Sequence, residues 1–517
     1  MDTSKISKFL LNIFNVLFLI AITTILLIVL TNPRSDIKYK SLPLLGASLV
    51  FLIAIILIFK VFQKLPNKVL KIIRIINSII IVIMAIYSYF AFQIKPQFDV
   101  NNCLQTAQEL TLHHMDWFKV PVWMREYSLV EYPNNLAFTY FETGLLRILK
   151  HFININNLDN TYFVLSSLNV VMLLITLILM YYIIKRHLPT YIVTGYTFLV
   201  ILFVPLFVNE NMFYTDNITM LFVVLLFALY DKFLHTSQLT FKVGLFIGFI
   251  ICAILGTLIK STTIIFIIAI IIHYCLFHNW KKAVIFILML IIPFGLITKK
   301  ATHIIYHNPI LSAKDTGFPM IHWPLMALES QGGSYDANNV QYTIDLMQRY
   351  HNTAKVGKIE TKTYLKKISN DPNELLASMY PKIQKMFTDG YGTTMLFTYG
   401  PRYHQATKTL FGKMVSSSSK DGYVYLYWVS SLNIGCLALM WIGALIMLVT
   451  KKRKSLVYAA MLTFFGNFLF LLFWESRGRY MFAFIPLIIY IVCVSLNLLI
   501  KHLSFTKYQK NTQEVNK

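Results

Sequence analysis

Acidic residues are scarce in this chain. Its 517 residues carry 23 Asp and Glu against 47 Lys and Arg, and charged residues make up only 14% of the total. Soluble domains carry about 25%. With 56% hydrophobic residues and a mean hydropathy of +0.60, the chain lacks the polar shell a soluble protein of this length requires. Cysteine is also sparse. Cys252, Cys275, Cys436 and Cys493 fall inside apolar runs and Cys103 alone lies in a loop, so no disulfide framework is implied. The apolar runs lack the strict alternation of barrel strands, which excludes a β-barrel. No basic patch interleaved with aromatics stands on a soluble domain, so the net charge of +24 does not point to nucleic acid. Internal repeats and low-complexity tracts are missing too; Ser416–Ser419 reads as a short linker.

What is present is a series of long apolar runs. A helix rises about 1.5 Å per residue, so about 20 apolar residues cross a hydrocarbon core of about 30 Å. Only helices and closed barrels satisfy their backbone in lipid. The fold class expected is therefore an all-α polytopic membrane protein. About twelve spans are predicted, at 9–30, 43–62, 72–94, 162–184, 190–208, 217–234, 241–259, 262–278, 283–298, 425–449, 455–473 and 480–500. The first run follows Lys5 and Lys8, is longer than a signal-peptide core and lacks a small-x-small cleavage site, so it reads as an uncleaved span.

Basic residues set the orientation. With the N-terminus inside, Lys60, Lys64, Lys68, Lys71, Arg74, Lys185, Arg186, Lys232, Lys242, Lys281, Lys282 and Lys451–Lys454 all collect on the inner side, as does the tail. Arg34, Lys38 and Lys40 are the main exceptions. Counting the apolar stretch 136–150 as a span would invert this bias for every later loop. It is short and carries Glu142 and Arg147, so it is expected to lie along the outer interface as an amphipathic helix. Four regions follow: an N-terminal transmembrane module 1–298 with an outer loop at 95–161, an extracytoplasmic segment 299–424, C-terminal spans 425–500, and a cytoplasmic basic tail 501–517. The long outer segment is expected to fold over the membrane, with D-P-N-E-L-L-A-S-M-Y-P-K-I-Q-K-M-F one of its helices.

The residues that can carry chemistry gather at predicted outer span ends. Asp99 follows the third span; it either caps a helix or takes a proton from a hydroxyl acceptor. Glu131 precedes the turn Y-P-N-N, and Asp216 stands where the chain re-enters the membrane, as a helix cap or as an acid. Together the three acids could position an acceptor or bind a divalent cation. Lys260, in L-I-K-S-T-T, either snorkels to headgroups or supplies a fixed charge for a lipid phosphate. In W-E-S-R-G-R-Y, Arg477 and Arg479 break the positive-inside bias, and guanidinium forks suit phosphate oxygens, with Glu475 orienting one arginine. His322 and Trp323 could contact sugar or acceptor, or pack within a folded loop.

These pieces, in order, resemble the GT-C fold glycosyltransferases, which take a sugar from a polyprenyl-phosphate carrier. Nearest are the protein O-mannosyltransferase and aminoarabinose transferase relatives and the Gram-positive cell-envelope members. The resemblance rests on Asp99, Y-P-N-N at 132–135, T-D-N at 215–217, K-S-T at 260–262, H-W-P-L-M-A-L at 322–328 followed by G-G-S-Y, and E-S-R-G-R-Y at 475–480. It implies Asp99 as base, Asp216 as a metal ligand, and Lys260, Arg477 and Arg479 as carrier-phosphate contacts. His322, Trp323 and Tyr480 would then touch sugar or acceptor. It further implies an undecaprenyl-phosphate-linked sugar donor and an envelope glycan or glycolipid acceptor, such as teichoic acid, at the outer face of the cytoplasmic membrane. Two features depart from the mannosyltransferase pattern: Val100 replaces a second acid after Asp99, and three spans precede it. The alternative class is a transporter or flippase of lipid-linked sugars, which usually places ionisable or broken segments near the bilayer midplane.

Overall fold

The structure is a computed structural model that describes residues 5–31, 41–91, 96–307, 310–311, 314–330, 333, 335–388, 420–451 and 455–515. Arg34, Lys38, Lys40, Lys95, Gly332, Ser334, the Ser416–Ser419 linker, Lys452, Arg453, Lys454 and Lys517 lie outside the described residues. Among the described residues regular structure is helical, with no strand.

Among the described residues ten helices are long and apolar enough to cross a membrane, or eleven if one bent pair is a single span, against the twelve predicted. Two further apolar elements stand at the other two predicted positions. One is a broken span, Thr190–Leu202 followed by Val204–Asn211 at 58°. The other is the short helix Thr263–Phe277. Both have a local cause. Pro205 has no N–H to donate and its ring opposes a continuous helix, so the chain breaks at Phe203. The carbonyls freed by the break are then taken up by side chains from neighbouring helices. Ser88 donates to Phe207 O at 2.8 Å, Asn217 to Asn209 O at 2.7 Å, Asn169 to Glu210 O at 2.7 Å and Tyr162 to Asn211 O at 2.8 Å. Irregular backbone at membrane depth survives only when satisfied in this way. The short helix has 15 residues, about 22 Å of rise. It falls short of a full hydrocarbon core.

Ile485–Val515 forms the centre of the bundle: its apolar stretch is 83% buried, against 17% for the peripheral Trp280–Tyr306. It packs against Lys420–Thr450, Ser455–Phe473 and Thr190–Leu202. Gly443 allows one of these close approaches, because a Cβ there would stand 2.0 Å from Ser495 Oγ. The outer faces of the first three spans are lined by exposed Ile, Leu and Val, as lipid contact requires. Two region boundaries shift from the sequence expectation. Trp280–Tyr306 runs past residue 298, and Ile485–Val515 carries helix through the predicted basic tail.

On one face of the bundle the predicted interfacial helix is present as Leu136–Leu149, packed on Phe98–Leu112. The long segment folds into helices His322–Glu329, Ala337–Tyr350 and Thr353–Asn370 around Phe318, Met326, Val340, Met347 and Val356, while Pro372–Phe387 joins the bundle core through Ile383, Met386 and Phe387. Pro372–Phe387 is the helix expected from its sequence: Asp371 caps it by accepting from Asn373 N, and Pro372 occupies the first turn. Gly317, at φ +82°, lets the segment dock: a Cβ there would meet Leu129 O and Val130 O at 2.8 Å. Phe318 N then donates to Val130 O at 2.8 Å.

Candidate functional site

Nine charged or aromatic side chains from distant parts of the chain converge on the face that carries the long loops. Asp99 sits in the first turn of Phe98–Leu112, but Gln97 is the N-cap and the Asp99 side chain makes no cap bond. Its carboxylate instead accepts from Tyr127 Oη at 2.9 Å and from Arg479 Nη2 at 3.4 Å. The capping alternative is therefore set aside. Tyr127 lies in a π-helical turn, Glu126–Glu131, whose extra residue per turn is a frequent device at functional sites. Asn135, from the Y-P-N-N turn, donates to Tyr127 Oη at 3.2 Å and accepts from Tyr214 Oη at 3.1 Å. Burial pushes the Tyr127 phenol well above its ordinary pKa, with the charge on Asp99 adding to the effect. Tyr127 thus remains a neutral donor to Asp99.

Asp216 also makes no cap bond at the start of Thr215–His235. It is fully buried and paired with Lys260 Nζ, so Lys260 turns inward rather than snorkelling. The Lys260 ammonium stands 5.0 Å from the Tyr480 ring centre, and the Arg479 guanidinium 5.2 Å from the same ring and 5.7 Å from that of Tyr214. These cation–π contacts hold two positive charges against one aromatic ring. Arg479 also lies within the field of both Asp99 and Asp216. Glu475 accepts from Arg477 Nε at 3.2 Å and from Tyr480 Oη at 2.9 Å, which is the orienting role expected for it. The turn begins differently from the prediction: Arg479–Phe482 is a separate four-residue helix, and the last span starts at Ile485.

Three acids and three cations here balance in charge, and Asp99, Lys260, Arg477 and Arg479 each keep 15–24% of their side chains exposed. The turn is fixed from the side by the outer segment. Ser476 N donates to Gly333 O at 2.8 Å, and Lys382, itself 1% exposed, donates to Leu472 O at 2.9 Å.

The remaining expected residues are placed otherwise. His322 is 1% exposed in the core of the outer segment, where Nδ1 bonds Thr343 Oγ1 at 2.7 Å and Thr343 donates to Glu360 at 2.6 Å. Its expected contact with sugar is thereby corrected to a packing role, since no part of the ring reaches the surface. Trp323 lies against Tyr132, 5.6 Å between ring centres, and Tyr132 in turn stacks on Tyr127 at 4.9 Å, so Trp323 borders the site at second hand. Glu131 is half-buried. Burial and the nearby Glu126 carboxylate raise its pKa, and it does not join Asp99 and Asp216 in a cluster. The metal expected at Asp216 has a poor donor set: one oxygen is held by Lys260, and among the described residues the acids do not close on a common point here. The group that does so is His187, Asp231 and His235 at the opposite face, where Arg186 Nη1 holds Asp231 Oδ2 at 2.7 Å.

Tyr127, Asn135 and Tyr214 complete the site without having been singled out one by one in the sequence. Asn135 stood inside the Y-P-N-N motif and Tyr214 immediately before T-D-N; Tyr127 had no signal beyond lying between Asp99 and Asn135. No curated protein and no solved structure matches the chain. Residues 3–499 match a family described as conserved hypothetical integral membrane protein, and the chain belongs to that family.

Proposed function

We propose that this protein is a GT-C-type glycosyltransferase, moving a sugar from undecaprenyl phosphate to a hydroxyl of an envelope glycan or glycolipid at the outer face of the cytoplasmic membrane. The observation that carries this reading is the Asp99–Arg479 pair standing beside Lys260 at the end of the bundle that carries the long loops. A lipid-linked phosphate reaches such a site laterally, its chain remaining in the bilayer. Arg479 exchanges Asp99 for phosphate oxygens, and Asp99, still held by Tyr127, becomes free to accept a proton. The acceptor hydroxyl attacks the anomeric carbon, a new C–O bond forms, and its proton passes to Asp99. The bond from that carbon to the phosphate oxygen breaks, and the polyprenyl phosphate leaves with the electron pair. Lys260, Arg477 and Arg479 stabilise the charge on the departing phosphate. Neutralisation is assigned to these cations rather than to a divalent metal because Lys260 occupies an oxygen of Asp216.

The flippase reading has one observation in its favour: the broken span carries Glu210, 1% exposed and with both carboxylate oxygens unpartnered. Two measurements separate the readings. A deletion strain complemented with Asp99→Asn is expected to keep the protein in the membrane and to lack one envelope glycan, because a general base contributes about 10²–10⁴-fold in rate. Wild-type glycan from that variant refutes the base assignment. Purified protein that flips labelled carrier in vesicles while forming no glycosidic bond establishes the alternative.

A further inference from the structure

Far from the Asp99 site, on the face where the lysines collect, a cavity of about 600 Å³ opens between the helices Asn67–Ala91 and Leu158–His187. Its lining is divided along its length. Lys71 and Arg74 stand near the start of one helix and Lys185 near the end of the other, so three cations share one end of the cavity. Ile79, Ile83 and Tyr181 line it deeper in the bilayer. Among the described residues no carboxylate lines it, and Asp231 is held by Arg186 and His187, the residues that follow Lys185.

Lys71, Ile75, Ser78 and Val82 recur three or four residues apart along one face of their helix, and Arg74, Ile79 and Ile83 flank that stripe along the same cavity. From Arg74 to Ile83 that helix rises about 13 Å, close to the about 15 Å hydrocarbon depth of one leaflet. Arg74 is also fixed in place: Nη1 donates to Thr194 Oγ1 at 3.0 Å, which leaves the rest of its fork for another acceptor. The shape is that of a headgroup seat above an acyl-chain groove.

We propose that this cavity binds an anionic two-chain phospholipid of the leaflet on the lysine-rich face. Lys71, Arg74 and Lys185 hold the phosphate, and an acyl chain lies along Ile79 and Ile83. The occupant follows from the charges: a zwitterionic headgroup brings its own cation to a seat that has no anion. It also follows from the depth, since a free phosphate would leave the apolar groove unfilled. The site stands independently of the glycosyltransferase reading, because it shares no residue with it.

The test uses full-length protein purified in mild detergent and examined by native mass spectrometry, then titrated with phosphatidylglycerol, phosphatidylcholine and undecaprenyl phosphate in turn. The variant is Lys71→Gln/Lys185→Gln, which keeps Arg74 and its bond to Thr194. Wild type is expected to retain a phospholipid of anionic mass and to prefer phosphatidylglycerol over phosphatidylcholine. The variant is expected to lose roughly 30-fold in phosphatidylglycerol affinity, the combined attraction of two cations near an anionic surface. Equal affinity in wild type and variant, equal binding of both phospholipids, or preference for undecaprenyl phosphate would each overturn the assignment. A melting curve of the variant without lipid that matches wild type shows that the loss is one of binding and not of folding.

Discussion

At the scale of single residues, the Asp216–Lys260 pair is the most exposed to disturbance, because Asp216 is wholly buried and its partner is 15% exposed. Removing one member of such a pair leaves an uncompensated charge in a poorly solvated place, at a cost of about 3–5 kcal/mol. Lys260→Met or Asp216→Asn alone is therefore expected to lower the melting temperature of the purified protein sharply. The double variant, which leaves no orphan charge, is expected to recover much of that loss. If both single variants melt like wild type, the pair does not exist as described. These charged residues were legible in the sequence because a chain so poor in acid makes each one conspicuous at a span end. Tyr127, Asn135 and Tyr214 were not, since the chain holds 30 tyrosines and nothing local marks which of them meet. His322 misled for a related reason: a histidine beside a tryptophan suits sugar binding and a buried hydrogen-bond network equally well, and only the packing of Thr343 and Glu360 against it decides.

At the scale of elements, Pro372–Phe387 connects the outer segment to the turn that carries Glu475 and the arginines. Lys382 reaches from it to Leu472 O, and its own carbonyl accepts from Ser476 Oγ at 3.4 Å. Burial lowers the pKa of Lys382 from 10.5 to about 8. Between those values the unfolded chain binds a proton that the folded chain has released, so the contribution of this residue to stability rises as pH increases through that window. Below the window both states are protonated and the contribution is constant. The melting temperature of wild type relative to Lys382→Met is expected to increase between pH 7 and pH 9.5; a difference that stays flat means the ammonium is not buried. Helices of this kind were readable from their caps and periodicity, as was the interfacial helix from its length and charge. The break in the fifth span was less so. Its apolar composition is continuous, and although Pro205 marked the place, most of the amides and hydroxyls that satisfy the broken backbone come from other helices, Ser88 more than a hundred residues away.

At the scale of the whole molecule, everything proposed for the Asp99 site depends on which side of the membrane it faces. The packing fixes only relative placement. The Asp99 cluster and the helices 322–387 share one face, while Arg74, Lys185, Asp231 and the turn before Trp280 share the other. We propose from the charge bias that the second face is the cytoplasmic one, because basic residues in short loops resist translocation. Single cysteines placed in a background lacking the five native ones test this directly. Lys362→Cys, in the outer segment helix Thr353–Asn370, is expected to react with a membrane-impermeant maleimide on intact cells. Lys281→Cys, at the opposite end of the bundle, is expected to react only after permeabilisation. The reverse pattern would place the cluster in the cytoplasm, where sugars are ordinarily supplied by soluble nucleotide donors. A site suited to a lipid-linked phosphate would then have to serve loading of the carrier rather than transfer from it.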